Sequence, residues 1–238
     1  FPLEPALVHA ARHTEMDFLE KLVTWSEFRL RSELPAGTVV FGVRWVDTNR
    51  GDFEVPDNRS RLVVQETRRV TTIAVDDIGA TFSATPPLEC VRMLLSLAMT
   101  LPEGHRQSAC TEDDDYVLMF LDISRAHPHC EINREVWTQL PEEHPAHAEG
   151  KVGKLRVCLY GVRDAGQGFE FKVYEISFRV GATRGLRNPC LYKHTERKLG
   201  YLHHGDDFIV AGPRESTQWL KAEIEKNLIV KDRATLGP

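Results

Sequence analysis

The apolar positions along the chain change their period several times, and each change marks an element. Between Pro5 and Trp25, residues Leu7, Ala11, Phe18, Leu19, Leu22 and Val23 recur at helical spacing, interrupted by His13 and Thr14, and predict a helix. Leu34-Pro35-Ala36-Gly37 turns the chain, and Thr38 to Asp47, rich in Val, Phe and Trp, predicts a strand. A second turn at Asn49-Arg50-Gly51-Asp52 and a polar stretch through Pro56 lead to another short strand over Ser60 to Gln65, which completes a small β lobe. Thr85 can cap free N–H groups, and Pro86 and Pro87 suit a first helical turn. Leu88, Val91, Leu94, Leu95 and Ala98 then form the core-facing stripe of a scaffold helix, followed by a polar loop over 102–115.

Val117-Leu118-Met119-Phe120-Leu121-Asp122 has the pattern of a buried strand that ends in an acid. An irregular stretch, Ile123 to Cys130, precedes a strand over Arg134 to Leu140, and Pro141 to Gly153 reads as a loop. Leu155, Val157 and Leu159 predict a strand that breaks at Tyr160-Gly161, and Asp164 caps a helix running to about Val180. Cys190 to His194 is a short strand, 195–200 a turn, and Tyr201 to Gly212 a hairpin with Gly205-Asp206-Asp207 at its tip. Glu215 to Val230 predicts an amphipathic helix with Trp219, Leu220, Ile224 and Leu228 on one side. Strands joined by hairpins and interleaved with a few helices predict an α+β fold, with helices on one face of an antiparallel sheet.

At 238 residues and 42% hydrophobic, the chain can bury a core of one two-lobed domain or two small ones. No apolar run is long enough to span a membrane, so no membrane partner is expected. The start, Phe1-Pro2-Leu3-Glu4-Pro5, has neither an initiator Met nor a basic leader and reads as a piece of a longer polypeptide. Five scattered cysteines without a Cys-x-x-Cys pair suit a reducing intracellular compartment, cytoplasm or nucleus. A net charge of -5 does not advertise a nucleic-acid binder, because phosphate backbones select basic surfaces. The basic residues are nevertheless clustered, Arg59, Arg61, Arg68 and Arg69 in one stretch and Lys151, Lys154, Arg156 and Arg163 in another, against an acidic block at Glu112-Asp113-Asp114-Asp115. By itself each basic cluster reads as a solvated face.

The candidate chemistry lies in three acids. Gly and Asp are ordinary turn formers, so Gly205-Asp206-Asp207 alone signals only a turn. Asp122 adds weight, since a charge ending so apolar a strand requires a partner or a cation. Asp122, Asp206 and Asp207 on neighbouring strand ends therefore predict a site for hard divalent cations. A zinc module built from His127, His129, Cys130, His203 and His204 is a weaker rival, because His-Pro-His-Cys matches no closed four-ligand spacing. A metal-dependent phosphohydrolase using the same acids is another.

Taken in order, Thr24-Trp25, Arg44-Trp45-Val46, Arg61-Leu62-Val63-Val64, Ala80-Thr81-Phe82-Ser83, Leu121-Asp122-Ile123-Ser124-Arg125-Ala126, Leu159-Tyr160-Gly161, Asn188-Pro189-Cys190-Leu191-Tyr192 and Gly205-Asp206-Asp207 resemble the reverse transcriptase domain of copia-type LTR retrotransposons. The series covers about residue 12 to the end. The resemblance implies a right-hand polymerase with an antiparallel palm sheet backed by helices. Residues 1–115 would hold the N-terminal helix, the fingers and a palm-packing helix. Residues 116–238 would form the palm, cut before the primer grip and thumb. It implies an RNA-directed DNA polymerase fragment of a retrotransposon polyprotein that binds an RNA or DNA template with its primer and a dNTP. The remaining polyprotein domains or a second chain would complete it. Two Mg²⁺ ions, with Mn²⁺ as a substitute, would be held about 3.5 to 4 Å apart by Asp122 and Asp206 as bridging ligands, with Asp207 auxiliary.

By the same resemblance, Arg125 and Ala126 lie under the incoming triphosphate, and His127 stands where the family usually carries an aromatic that excludes the ribose 2′ hydroxyl. Arg61, with Arg59 nearby, comes from the fingers to phosphate, Tyr160 stacks and Arg163 contacts backbone. Gly166 replaces a frequent proline, and His204-Gly205 replaces the common Tyr-Val before the paired acids. These departures leave one alternative, a degenerate noncatalytic copy that acts only in binding or not at all.

Overall fold

The computed structural model describes residues 3–52, 54–67, 83–99 and 116–237. Arg68, Arg69, Ala80-Thr81-Phe82, the polar loop over 102–115, Cys110 and the acidic block lie outside the described residues. The chain divides into two compact units that interleave along the sequence, residues 1–81 with 130–168 and residues 82–129 with 169–238. Among the described residues no helix is long and apolar enough to cross a membrane.

The first unit opens with helix α1 (Pro5–Lys21), started by a proline in its first turn and burying Met16 and Leu19. The predicted strand from Thr38 to Asp47 is two strands, β2 (Val40–Phe41) and β3 (Val43–Asn49), and β3 forms an antiparallel hairpin with β4 (Asn58–Val64). A second sheet has the order β1-β7-β6-β2, using β1 (Trp25–Leu30), β6 (Trp137–Gln139) and β7 (Lys151–Leu155). No periodicity marks β1, and β7 begins inside the stretch whose Pro, Glu, His and Gly content predicts a loop. Its Gly153 lies under the Trp25 ring, where a Cβ would overlap, and the Trp25 indole donates to Thr138 Oγ1 at 3.0 Å. The glycine that hid the strand is what lets Trp25 pack on it.

The second unit holds α2 (Leu88–Met99), β5 (Tyr116–Ile123), most of α3 (Ala165–Arg179), β8 (Thr183–Arg184), β9 (Leu191–His194), β10 (Leu199–His204), β11 (Asp207–Pro213), α4 (Arg214–Glu225) and β12 (Val230–Leu236). The sheet order is β12-β5-β11-β10-β9-β8, and every neighbouring pair is antiparallel. Residues opposite one another across a sheet share a face. Leu118, Ala211 and Leu202 thus share one face, and Cys90 and Leu94 of α2 pack there. Tyr201 and Phe208 are on the other, where they line one apolar space with Val173 and Ile176 of α3, Leu220 and Ile224 of α4, and Leu228.

Helices therefore cover both faces, which corrects the expectation of one. The reason is in the strands: Val117-Leu118-Met119 and Phe208-Ile209-Val210 are apolar at consecutive positions, so neither side can be left to water. The last predicted helix also ends early, at Glu225, and Val230–Leu236 becomes an edge strand exposed along almost its whole length. With no buried face, β12 carries no hydrophobic period; only its backbone pairing with β5 defines it.

Gly161 has φ +83, and a Cβ there would overlap the carbonyl of Val64, whose N–H donates to the Tyr160 carbonyl at 2.7 Å. Gly37 has a similar φ of +87 with open space around it. Gly37→Ala should cost only the left-handed backbone penalty, ~1 kcal/mol. Gly161→Ala should cost ~3 kcal/mol, because the clash adds to the strain. Urea denaturation of the two variants checks the difference; equal losses would contradict the close approach at Gly161.

Candidate active site

The β10–β11 register pairs His204 with Asp207, which leaves Gly205 and Asp206 as a two-residue turn. Gly205 has φ +59 while Asp206 keeps a negative φ, the pattern of a hairpin turn with glycine in its first central position. That turn lifts Asp206 to the tip. The carbonyl of Asp206 accepts the Ile123 N–H at 2.8 Å, which fixes the tip against the end of β5.

The β11–β5 register then puts Asp207 directly opposite Asp122, on the same face. Asp122 and Asp206 as the bridging pair, with Asp207 auxiliary, would suit a strand that continues through both acids and alternates their faces. The turn instead takes up Asp206, and pairing begins at Asp207. Burial, followed by the charges of Asp206 and Asp122, pushes the Asp207 carboxyl above its usual range, with Arg233 and His204 opposing. The three acids therefore share one electrostatic neighbourhood. Among the described residues, however, no three His, Cys, Asp or Glu side chains gather into a ready metal-holding group.

Two cations that no sequence motif marks flank the acids. Lys231 of β12 pairs directly with Asp122, so Asp207, Asp122 and Lys231 form a row across three strands. The register shifts between Asp232 and Ala234, and Arg233 within that bulge places Nη2 3.1 Å from Asp122 Oδ1. The basic residues were visible, but nothing in the periodicity marked this stretch as a strand beside Asp122.

After Asp122 the backbone enters a tight, strained passage. Arg125 has φ +53, uncommon for a residue with a side chain, and Ala126 is buried, its carbonyl accepting the His129 N–H at 3.2 Å. His127 to His129 form a 3-10 turn, and the His129 ring lies 3.2 Å from the Ser124 carbonyl. Burial lowers the His129 pKa; the Ser124 carbonyl opposes this, while the charges of Lys172 and Arg125 add to it. His203 is a core residue stacked on Phe208, its pKa pushed down to about 4 by burial. The four described cysteines are buried and form no disulfide, Cys130 among them.

The remaining candidates belong to the first unit. Arg61 lies over the Tyr160 ring, 4.7 Å from its centroid, with a buried Nε that has no hydrogen-bond partner. Arg163 has a carboxylate instead: its backbone N–H donates to Glu66 Oε2 at 3.1 Å and its Nε lies 3.3 Å from Oε1. Glu66 has a fully buried side chain and also binds Arg134 at 2.6 Å, while Arg134 reaches Asp164 at 2.8 Å. Burial works against the Arg134 charge, but the Asp164 and Glu66 carboxylates outweigh it and hold the guanidinium charged.

A family model described as reverse transcriptase (RNA-dependent DNA polymerase) matches residues 26–236, a span from β1 to β12 that contains every candidate residue. Comparison with curated proteins gives no match.

Asp207 binds its proton more tightly in the fold than in the unfolded chain, so its ionisation costs stability. That cost is absent below the unfolded carboxylate range and grows as pH rises through the raised folded value. In a chelating buffer, Asp207→Asn should melt higher than the native chain at pH 7 and at the same temperature as the native chain at pH 3. A variant that is less stable at pH 7 would contradict the repulsion among these acids.

Proposed function

This chain belongs to the reverse transcriptase (RNA-dependent DNA polymerase) family, and we propose that it extends a primer 3′ hydroxyl along an RNA or DNA template as part of a copia-type retrotransposon polyprotein. The observation that carries the reading is the register of Asp122 against Asp207, with Asp206 on the adjoining turn. Hard oxygen donors that repel one another when empty suit small divalent cations. Asp122 and Asp207 would hold Mg²⁺, with Asp206 alongside. When bound, two such ions lower the pKa of the attacking hydroxyl and neutralise charge on the transferred phosphate and leaving pyrophosphate.

The chain's own residues supply positioning. The Arg125-Ala126 backbone, held by the left-handed Arg125 and the Ala126–His129 hydrogen bond, would present a fixed surface to the triphosphate. His127, at the start of the following turn, would face the sugar. A guanidinium's forked donors match phosphate oxygens, and the unsatisfied Nε of Arg61 suits that role. Tyr160, already stacked by Arg61, offers a ring face to a base. Arg163 is tied to Glu66, so its contribution would be to hold the loop that carries Tyr160.

One observation favours a second reading, a noncatalytic copy that only binds: Asp122 is already paired with Arg233. Primer extension with Mg²⁺ and dNTPs separates the two. Within its full polyprotein the native chain should extend a primer, and Asp122→Asn and Asp207→Asn should each lose at least ~100-fold. Primer–template binding with no extension above the Asp122→Asn level would establish the noncatalytic reading instead.

A further inference from the structure

We propose that Arg233 is a built-in competitor for the metal site, a cation that occupies Asp122 and must leave before a divalent ion can bind there. The proposal rests on the reading of Asp122 and Asp207 as metal-holding acids. Its basis is the edge strand that the sequence concealed.

A regular strand would alternate its side chains between the two faces. Lys231 pairs with Asp122, and Asp232 turns to the other side, where it binds Lys221 of α4. Alternation returns Arg233 to the face that carries Lys231 and Asp122, and the bulge leaves its backbone without a cross-strand partner there. Nη2 thereby reaches Asp122 Oδ1 at 3.1 Å. An exposed edge residue thus contacts the acid, and the Asp232–Lys221 pair ties the neighbouring position to α4.

The contact is suited to release. Arg233 is 54% exposed whereas Asp122 is 17% exposed, so the guanidinium can swing into water while the acid stays in place. An ion pair of that exposure is weak, and a compact divalent cation offers Asp122 twice the charge. Arg233 is also among the charges that hold the Asp207 carboxyl down, so the one cation acts on both strand-end acids. With Arg233 engaged, one oxygen of Asp122 is already occupied by a guanidinium. Metal entry and Arg233 release would then be a single exchange.

Manganese binding to the full chain, read from the electron paramagnetic resonance signal of free Mn²⁺, tests this without any activity assay. At low ionic strength Arg233→Ala should bind Mn²⁺ about tenfold more tightly than the native chain, ~1.4 kcal/mol, the scale of removing one nearby unit charge. Arg233→Lys should restore most of the competition. The gap should narrow as salt is raised, and Asp122→Asn should lose the binding. Thermal melting checks that each variant is folded, and Arg233→Gln replaces the alanine variant should that one unfold.

If Arg233→Ala binds Mn²⁺ no more tightly than the native chain while Asp122→Asn loses it, Arg233 is not a competitor, although the metal reading stands. If the native chain and Arg233→Ala both bind no better than Asp122→Asn, the metal reading itself fails and the competitor falls with it.

Discussion

The antiparallel pairing of β5 with β11 sets two carboxylates face to face at the end of a sheet, and the rest of the second unit sustains that arrangement. Like charges opposite one another weaken a sheet. Here the opposing term is apolar burial on both sides: α2 covers one face through Cys90 and Leu94, while α3 and α4 cover the other around Tyr201 and Phe208. Helix α2 packs over the Leu118 and Ala211 end of the strands, whereas Asp122 and Asp207 sit at their other end on that same face. The covered length of the strands holds the register, and the uncovered end carries the charge.

The first unit solves a similar problem in another way. Glu66 is fully buried, a state tolerated only with partners, and Arg134 and Arg163 provide them. Breaking such a cluster by removing one member leaves an uncompensated charge inside, so its members constrain one another. The result fixes Arg163 and Asp164 beside Glu66, while Tyr160 lies against β4 with Arg61 over its ring. In one unit charge is neutralised by burial in pairs. In the other, acid repulsion is kept near the surface, with the exposed Arg233 paired to Asp122.

Much of this could be read in the sequence. The apolar run into Asp122, the glycine before two acids and the apolar stripe of α2 mark the right elements because each depends on local pattern or turn chemistry. What could not be read depends on pairing between distant segments. Whether Asp206 or Asp207 faces Asp122 is decided by where the turn ends and the ladder resumes, a one-residue matter that inverts the face of each acid. β12 was hidden because an edge strand exposed on both faces has no alternation, and with it went Arg233. The partner of Arg163 was hidden because Glu66 lies far from it in sequence and its burial has no local signature.

The central claim is that one strand register makes a cation site from Asp122 and Asp207. Anomalous diffraction from crystals soaked in Mn²⁺ tests it most directly, because it reports where the ion sits irrespective of activity. The account predicts an anomalous peak within bonding distance of both carboxylates, with the Arg233 side chain displaced from Asp122. A peak held by other side chains, with the Arg233–Asp122 pair intact, would contradict it.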